Sequence, residues 1–142
     1  LWYGDHLPTL GDNFTPYTST GTIHADKAAE WTDEEKYTMF CTPYVMFANY
    51  DTGNDYRAED QQGSPYLLPA LLCDYINAPA CLQTNFLLHV YETCPVMSPY
   101  YNLYTPGTTA EEHEELQKLH RYLTYDELIG EKYLDKMQGF EF

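Results

Sequence analysis

The sequence predicts an α/β fold, because segments typical of strands and segments typical of amphipathic helices are joined by turn-rich connections. The apolar residues 1–3 end at a glycine, as the last residues of a strand often do. Residues 37–49 are rich in β-favouring side chains, and three helix-like segments follow from Ser64 onwards. With 142 residues, 44% of them apolar, the chain is long enough for one domain (1–142) with a buried core.

The second predicted strand is a continuous apolar run over residues 44–48, which is typical of a strand covered on both faces. Pro43 has no N–H for a ladder hydrogen bond, so we expect it at the strand's start or at an edge. Residues 7–36 lack periodicity and are rich in Thr, Asp, Gly and Pro, so we predict a long loop there. A short helix around Ala25–Trp31 is the only regular element expected inside it.

The first predicted helix begins at Ser64-Pro65, with the hydroxyl as cap and Pro69 as a second point where the regular helix can start. It carries a leucine-rich stripe and ends at Asn77-Ala78-Pro79. A second helix is predicted from Thr84-Asn85 to just before Pro95.

Residues 99–107 are predicted to form a turn-rich connector. The pattern from Thr109 to Glu112 is typical of a capping box, so the third helix is predicted to begin there. Gly130 is expected to break it.

The charge balance excludes two classes of partner. Seven basic residues stand against 22 acidic ones, giving a formal net charge of −15. Nucleic acids and anionic membrane lipids are both bound through Lys and Arg, so neither is expected as a partner. If the substrate is anionic, something other than Lys and Arg must offset the charge of the substrate, and a metal ion is the obvious candidate. No stretch reaches the roughly 18 to 20 apolar residues of a membrane span, although a parent chain could carry one.

The four cysteines, Cys41, Cys73, Cys81 and Cys94, lack the spacing of a zinc site. Two interpretations remain for them. We prefer buried free thiols, and a bridge between Cys73 and Cys81 is the alternative in an oxidising compartment.

Asp5 and His6 are the residues with the sharpest chemical interpretation. A carboxylate and a neutral imidazole side by side suit a divalent cation, and Gly4 lets the chain leave strand geometry so that both can face one ion. The alternative is an ordinary turn with a solvated histidine. Two ligands are too few for a metal site, so further ligands must come from elsewhere.

The remaining histidines have blander interpretations. We expect His24 to be a solvated loop residue, although it could approach the Asp5–His6 corner. His89 is expected to be packed or half exposed on a helix, and His113 and His120 to share a solvated helix face. The sequence contains no GxSxG, P-loop or GxGxxG motif for a nucleophile or a phosphate.

Four segments of this sequence are similar to four segments of a known family and occur in the same order. They are LWYGDHLP at residues 1–8, TPYVMFAN at 42–49, a Ser-initiated helix that ends in Leu-Leu-Cys-Asp at 64–74, and YDELIGEKY at 125–133. They resemble the FxGDHxP corner, the TPFLIWAN strand, the helix ending in Leu-Leu-Asp and the YDxLxGxxY segment of lipoteichoic acid synthases and related phosphoglycerol transferases. These enzymes belong to the sulfatase group of the alkaline-phosphatase superfamily.

The resemblance implies that residues 1–142 are the C-terminal portion of a sulfatase-like α/β catalytic domain, with a mixed sheet and flanking helices. It implies that Asp5 and His6 are two ligands of a divalent metal, Mn²⁺ or Mg²⁺. It also implies that the other ligands, a Glu and the nucleophilic Thr, lie upstream of Leu1, so no catalytic nucleophile is expected within this chain. The parent protein is expected to be anchored at the extracellular face of a bacterial membrane.

The implied reaction begins with attack of the Thr on the phosphate of a phosphatidylglycerol-like donor. An acceptor hydroxyl or water then takes the group from the covalent glycerophospho-enzyme. Relatives also include sulfatases and phosphoethanolamine transferases, so the group transferred is not fixed by these residues.

Two other hypotheses stay open. One is a non-catalytic binding module at a cell surface, suited by the acidic charge and the 15 tyrosines. The other is a degenerate relative that keeps the fold without the site. If Leu1 belongs to a central parallel strand, its neighbours in the sheet are missing, and the exposed apolar edge is expected to promote self-association.

Overall fold

The computed structural model describes residues 1–8, 10–54, 61–133 and 136. About 48% of them are helical, and their strands form two small antiparallel sheets, so the chain has the mixed α/β content that the sequence predicts. These residues divide into two compact units. The first comprises Leu1–Phe47 with Ser98–Tyr101, and the second comprises Ala48–Met97 with the chain from Asn102 onwards.

The first unit contains a two-stranded antiparallel ribbon and two helices. Strand β1 (Trp2–Tyr3) pairs with β2 (Tyr44–Val45), so that Trp2 lies opposite Val45. Pro43 directly precedes β2, as predicted. Helix α1 spans Thr15–Ser19 and helix α2 spans Asp33–Phe40. Short 3₁₀ turns lie at Asp12–Phe14 and Ala28–Glu30.

Two sequence expectations about this unit are wrong. Residues 37–40 were expected to be β and instead form the last turn of α2, because Thr32 and Glu35 make a capping box that starts a helix just before them. Strand β2 is also not covered on both faces, since Val45 is 52% exposed and the neighbouring Phe47 is 78% exposed.

A small apolar cluster holds the first unit together. The buried residues Ile23, Trp31 and Met39 form its centre, and Leu7 and Tyr17 pack against it. The Trp31 indole N–H donates to the Ala25 carbonyl at 2.7 Å, which satisfies its one polar atom. The segment expected to be a long loop therefore contributes most of this core.

The second unit is mainly helical. A 3₁₀ turn at Pro65–Leu67 leads into α3 (Leu68–Tyr75), and α4 (Leu82–Thr93) packs against α3. Strands β3 (Val96–Met97) and β4 (Asn102–Leu103) pair antiparallel, and α5 spans Ala110–Leu128. Among the described residues, no helix is long and apolar enough to cross a membrane.

The helix predictions for this unit are mostly confirmed. The regular part of α3 begins next to Pro69, as expected, and α5 begins after the Thr109–Glu112 capping box. Helix α4 begins two residues earlier than predicted. The most deeply buried side chains are Leu67, Val90 and Cys94. The connector predicted for residues 99–107 contains β4, which pairs with β3.

Ser64 does not cap the first helix, contrary to the prediction. Its hydroxyl makes no cap hydrogen bond. Instead it accepts from the Met97 N–H at 2.9 Å and donates to the Met97 carbonyl at 3.1 Å. Ser64 is 4% exposed, and this paired bond fixes the start of the helix to strand β3.

Glu35 connects the loop before α2 to the helix. Its carboxylate accepts from the Thr32 N–H at 2.8 Å and from the His24 N–H at 2.6 Å, and it also contacts the His24 ring nitrogen at 2.8 Å. The backbone hydrogen bond from Thr32 is the largest cause that lowers the Glu35 pKa from its ordinary 4.5 to about 2.

We predict that Glu35 stabilises the fold only where it is ionised. Because its pKa is lower in the folded state, its contribution is complete above about pH 4.5 and is lost as the pH falls through about 2. The difference in free energy of unfolding between wild type and Glu35→Gln should therefore shrink over that range. Urea denaturation followed by circular dichroism at a series of pH values measures it, and an unchanged difference at pH 5 and pH 2 contradicts the prediction.

We also predict that the chain self-associates through the β1–β2 ribbon. Trp2 is 74% exposed and Phe47 78% exposed, and a short ribbon with exposed apolar side chains tends to pair with another edge. In sedimentation velocity, Trp2→Lys should shift the chain towards monomer. Tyr125→Lys, which changes an aromatic residue of similar exposure on α5, is the matched control. A clean wild-type monomer at high concentration would count against the prediction.

Candidate metal centre

The Asp5–His6 corner lies immediately after β1, where the chain bends away from the strand. The Asp5 carboxylate accepts the His6 backbone N–H at 3.0 Å, and this bond turns the carboxylate towards the imidazole. The second carboxylate oxygen lies 3.6 Å from the His6 Nε2 atom. The bend predicted at Gly4 thus brings both side chains to one side of the chain.

The hydrogen bonds of the His6 ring define its tautomer. Nδ1 lies 2.7 Å from the Leu7 carbonyl oxygen, which can only accept, so Nδ1 carries the proton. In the neutral ring, Nε2 therefore presents a lone pair beside the Asp5 carboxylate. A ligating histidine in a metalloprotein commonly donates its other N–H to a backbone carbonyl in this way.

Two electron-pair donors 3.6 Å apart repel each other unless a proton or a cation lies between them. One ion bound to both at about 2.1 Å could span this separation. The side chains are 82% and 70% exposed, so solvent and further ligands can reach the same point. Asp5 and His6 therefore fit as part of a divalent-metal ligand set.

The corner lacks a complete ligand set in the part of the chain described. No group of three or more His, Cys, Asp and Glu side chains that could hold a metal ion occurs there.

The chain that follows the Asp5–His6 corner is anchored to the first unit. Leu7 packs on the apolar cluster of that unit, and the Tyr17 hydroxyl donates to the Pro8 carbonyl at 2.6 Å.

His24 is engaged elsewhere. Its backbone N–H and a ring nitrogen both contact the Glu35 carboxylate. The side chain is 58% exposed, as expected for a solvated loop residue, and its contacts are with Glu35 and not with the corner. The Thr32-x-x-Glu35 pattern in the sequence is typical of a capping box and so indicates a role for the Glu35 carboxylate. Its contact with His24 could not be predicted from the spacing of the residues.

His113 and His120 differ from expectation, because neither lies on a solvated face. The His113 ring stacks on Tyr104 with centroids 3.4 Å apart, and its Nε2 atom is buried without a hydrogen-bond partner among the described residues. The His120 ring lies 5.1 Å from that of Tyr66, and burial lowers its pKa. Both rings serve to pack α5.

All four cysteines are free thiols, as preferred, but only Cys94 is buried. Burial raises the Cys94 pKa to about 11. Cys81 is exposed at the start of α4, and a hydrogen bond with the Thr84 side chain, 3.3 Å away, lowers its pKa. This difference between the two thiols could not be predicted from the spacing of the cysteines.

No protein-family model, curated protein or solved structure matches this chain. The interpretation of Asp5 and His6 as metal ligands therefore rests on their donor atoms, on the His6 tautomer and on the order of the four sequence segments.

We predict that Asp5→Ala leaves the stability of the chain nearly unchanged. The Asp5 side chain is largely exposed and its hydrogen bond is to the adjacent residue, so the free energy of unfolding should change by less than about 0.5 kcal/mol. Asp51→Ala is a matched control, since Asp51 likewise accepts a local N–H, from Gly53. Urea denaturation measures both, and a loss of several kcal/mol would identify Asp5 as a structural residue.

Proposed function

We propose that this chain is the C-terminal part of a metal-dependent phosphoglycerol transferase or sulfatase-like hydrolase that acts on phospho- or sulfo-esters at the cell envelope. The single observation that supports it best is the placement of a carboxylate oxygen of Asp5 and the Nε2 atom of His6 3.6 Å apart, just after a strand. Asp5 and His6 would hold Mn²⁺ or Mg²⁺ together with ligands supplied from upstream of Leu1.

Charge gives the metal a clear purpose in this proposal. A protein with a formal net charge of −15 repels an anionic ester such as a phosphatidylglycerol-like donor. A bound divalent cation supplies local positive charge, acts as a Lewis acid on the ester group and lowers the pKa of a nucleophile. The corner is accessible enough for a substrate to reach, because both side chains are mostly exposed.

Each corner residue has a separate role. Asp5 contributes the negative charge that retains the cation, and its backbone-facing oxygen keeps the carboxylate oriented through the His6 N–H. His6 contributes a neutral nitrogen whose orientation is fixed by the Leu7 carbonyl. The nucleophilic Thr, the remaining ligands and the residues that select the transferred group lie outside this chain in the proposal.

The proposal also includes a larger sheet around the ribbon of the first unit. The β1–β2 ribbon would be part of the larger mixed sheet of an alkaline-phosphatase-like domain. The exposed apolar side chains of Trp2, Val45 and Phe47 suit strands that are buried in a larger sheet. The parent protein would be anchored at the outer face of a bacterial membrane.

A non-catalytic binding module at a cell surface is the second candidate. Exposed aromatic rings of the first unit favour it, above all Phe40 and Tyr100, which stack 4.7 Å apart and are 50% and 58% exposed. In this case a proton shared between Asp5 and His6 would satisfy the corner, and no metal would bind.

Activity measurements separate the two candidates. We predict that the purified chain of 142 residues does not turn over a fluorescent phosphatidylglycerol or an aryl sulfate, because the proposal places the nucleophile and half of the ligands upstream of Leu1. Turnover by the chain alone would contradict the proposal.

In the protein that joins this chain to the upstream part, Asp5→Ala should lower activity by more than about 100-fold, because losing a ligand costs more than losing its supporting hydrogen bond. Asp51→Ala should leave activity unchanged. Equal activity of the two variants would favour the binding module.

A further inference from the structure

The backbone of Gly4, the last residue before the metal corner, is held by the segment that precedes β2. Gly4 lies opposite Pro43 in the continuation of the β1–β2 register. The Gly4 N–H donates to the Pro43 carbonyl at 3.0 Å. In an antiparallel ladder the opposite residue normally returns a second hydrogen bond, from its own N–H to the facing carbonyl.

Pro43 cannot return that bond, because proline has no N–H. The hydroxyl of the preceding residue replaces it. Thr42 Oγ1 donates to the Gly4 carbonyl at 2.6 Å, in a partly buried position. The Thr-Pro pair therefore closes the ladder with a side-chain donor where the backbone donor is missing.

Close packing accompanies this bond. A Cβ atom placed on Gly4 would lie 3.1 Å from the Thr42 Cβ, closer than most Cβ contacts. A side chain at position 4 would therefore have little room beside Thr42. The hydrogen bond from the Thr42 hydroxyl sets the direction of the Gly4 carbonyl. The peptide plane that contains this carbonyl also carries the N–H of Asp5.

We propose that Thr42 is a positioning residue for the metal corner. By fixing the peptide between Gly4 and Asp5, it sets the direction in which the Asp5 carboxylate and the His6 imidazole leave the strand. Thr42 does not touch the ion, so it acts through the backbone alone. This inference rests on the proposed function, in which Asp5 and His6 bind a divalent cation.

Mn²⁺ binding to the protein that joins this chain to the part upstream of Leu1 tests it without any activity measurement, because in the proposal that protein carries the complete ligand set. Addition of Mn²⁺ should broaden the amide NMR signals of residues 4–7, and titration of the broadening gives an apparent Kd. The acidic start of α5, at Glu111 and Glu112, is an internal reference for non-specific binding. In Thr42→Val, which keeps the shape of the side chain and removes the hydroxyl, the apparent Kd at residues 4–7 should rise about tenfold.

Two further variants separate positioning from a general effect on folding. Thr42→Ser keeps the hydroxyl and should bind Mn²⁺ as wild type does. Thr42→Val combined with Pro43→Ala restores a backbone N–H opposite Gly4, so it should recover the affinity that Thr42→Val loses. The cross-strand contact of Trp2 with Val45, followed by nuclear Overhauser effects, should persist in all three.

The possible failures are distinct. If wild type broadens residues 4–7 and Thr42→Val does so with the same Kd, Thr42 does not position the corner and the proposed metal site stands. The inference is also overturned if Thr42→Ser and the double variant both bind Mn²⁺ as weakly as Thr42→Val does. If wild-type signals at residues 4–7 broaden no more than those at Glu111 and Glu112, the proposed metal site itself is wrong.

Discussion

The antiparallel pairing of β1 with β2 is the contact on which the first unit and its candidate site depend. It joins the first residues of the chain to a segment some forty residues later, and the intervening residues must then fold back between them. That stretch contains the two helices and the apolar cluster around Trp31, so the pairing and the cluster reinforce each other. The chain leaves the ribbon at Gly4 and enters the cluster at Leu7. Asp5 and His6 are thus held between two fixed points although they are themselves exposed.

Much of the helical structure could be predicted because helix boundaries depend on local chemistry. Pro69 marks the start of α3 and the Thr109–Glu112 box marks the start of α5, and both signals lie within a few residues of the boundary they set. Helix α2 carries an equally local signal in Thr32 and Glu35. The β-favouring residues 37–40 predict a strand instead. Their preference is weak in comparison with an N-terminal cap that satisfies two backbone donors, so the helix forms.

The tertiary contacts could not be predicted in the same way. Serine is a residue type typical of a helix N-cap, yet the Ser64 hydroxyl forms its hydrogen bonds with Met97, more than thirty residues away. His113 was expected to lie on a solvated face, and its stacking partner Tyr104 is defined only once the chain has folded. The same holds for the contact of the exposed His24 with Glu35. At the Asp5–His6 corner, the bend followed from Gly4, whereas the choice of the His6 ring nitrogen that donates follows from the position of a backbone carbonyl that no sequence pattern specifies.

The two tryptophans of the chain occupy opposite environments within the same unit. Trp31 is 3% exposed inside the apolar cluster, and Trp2 is 74% exposed in the strand that leads to the corner. Their fluorescence should therefore separate by wavelength, with blue-shifted emission from the indole in the cluster and red-shifted emission from the indole in water. A paramagnetic ion near His6 would quench the red component first, whereas loss of the cluster would shift the blue one. The chain thus carries an intrinsic optical probe for its core and another for the approach to its candidate site.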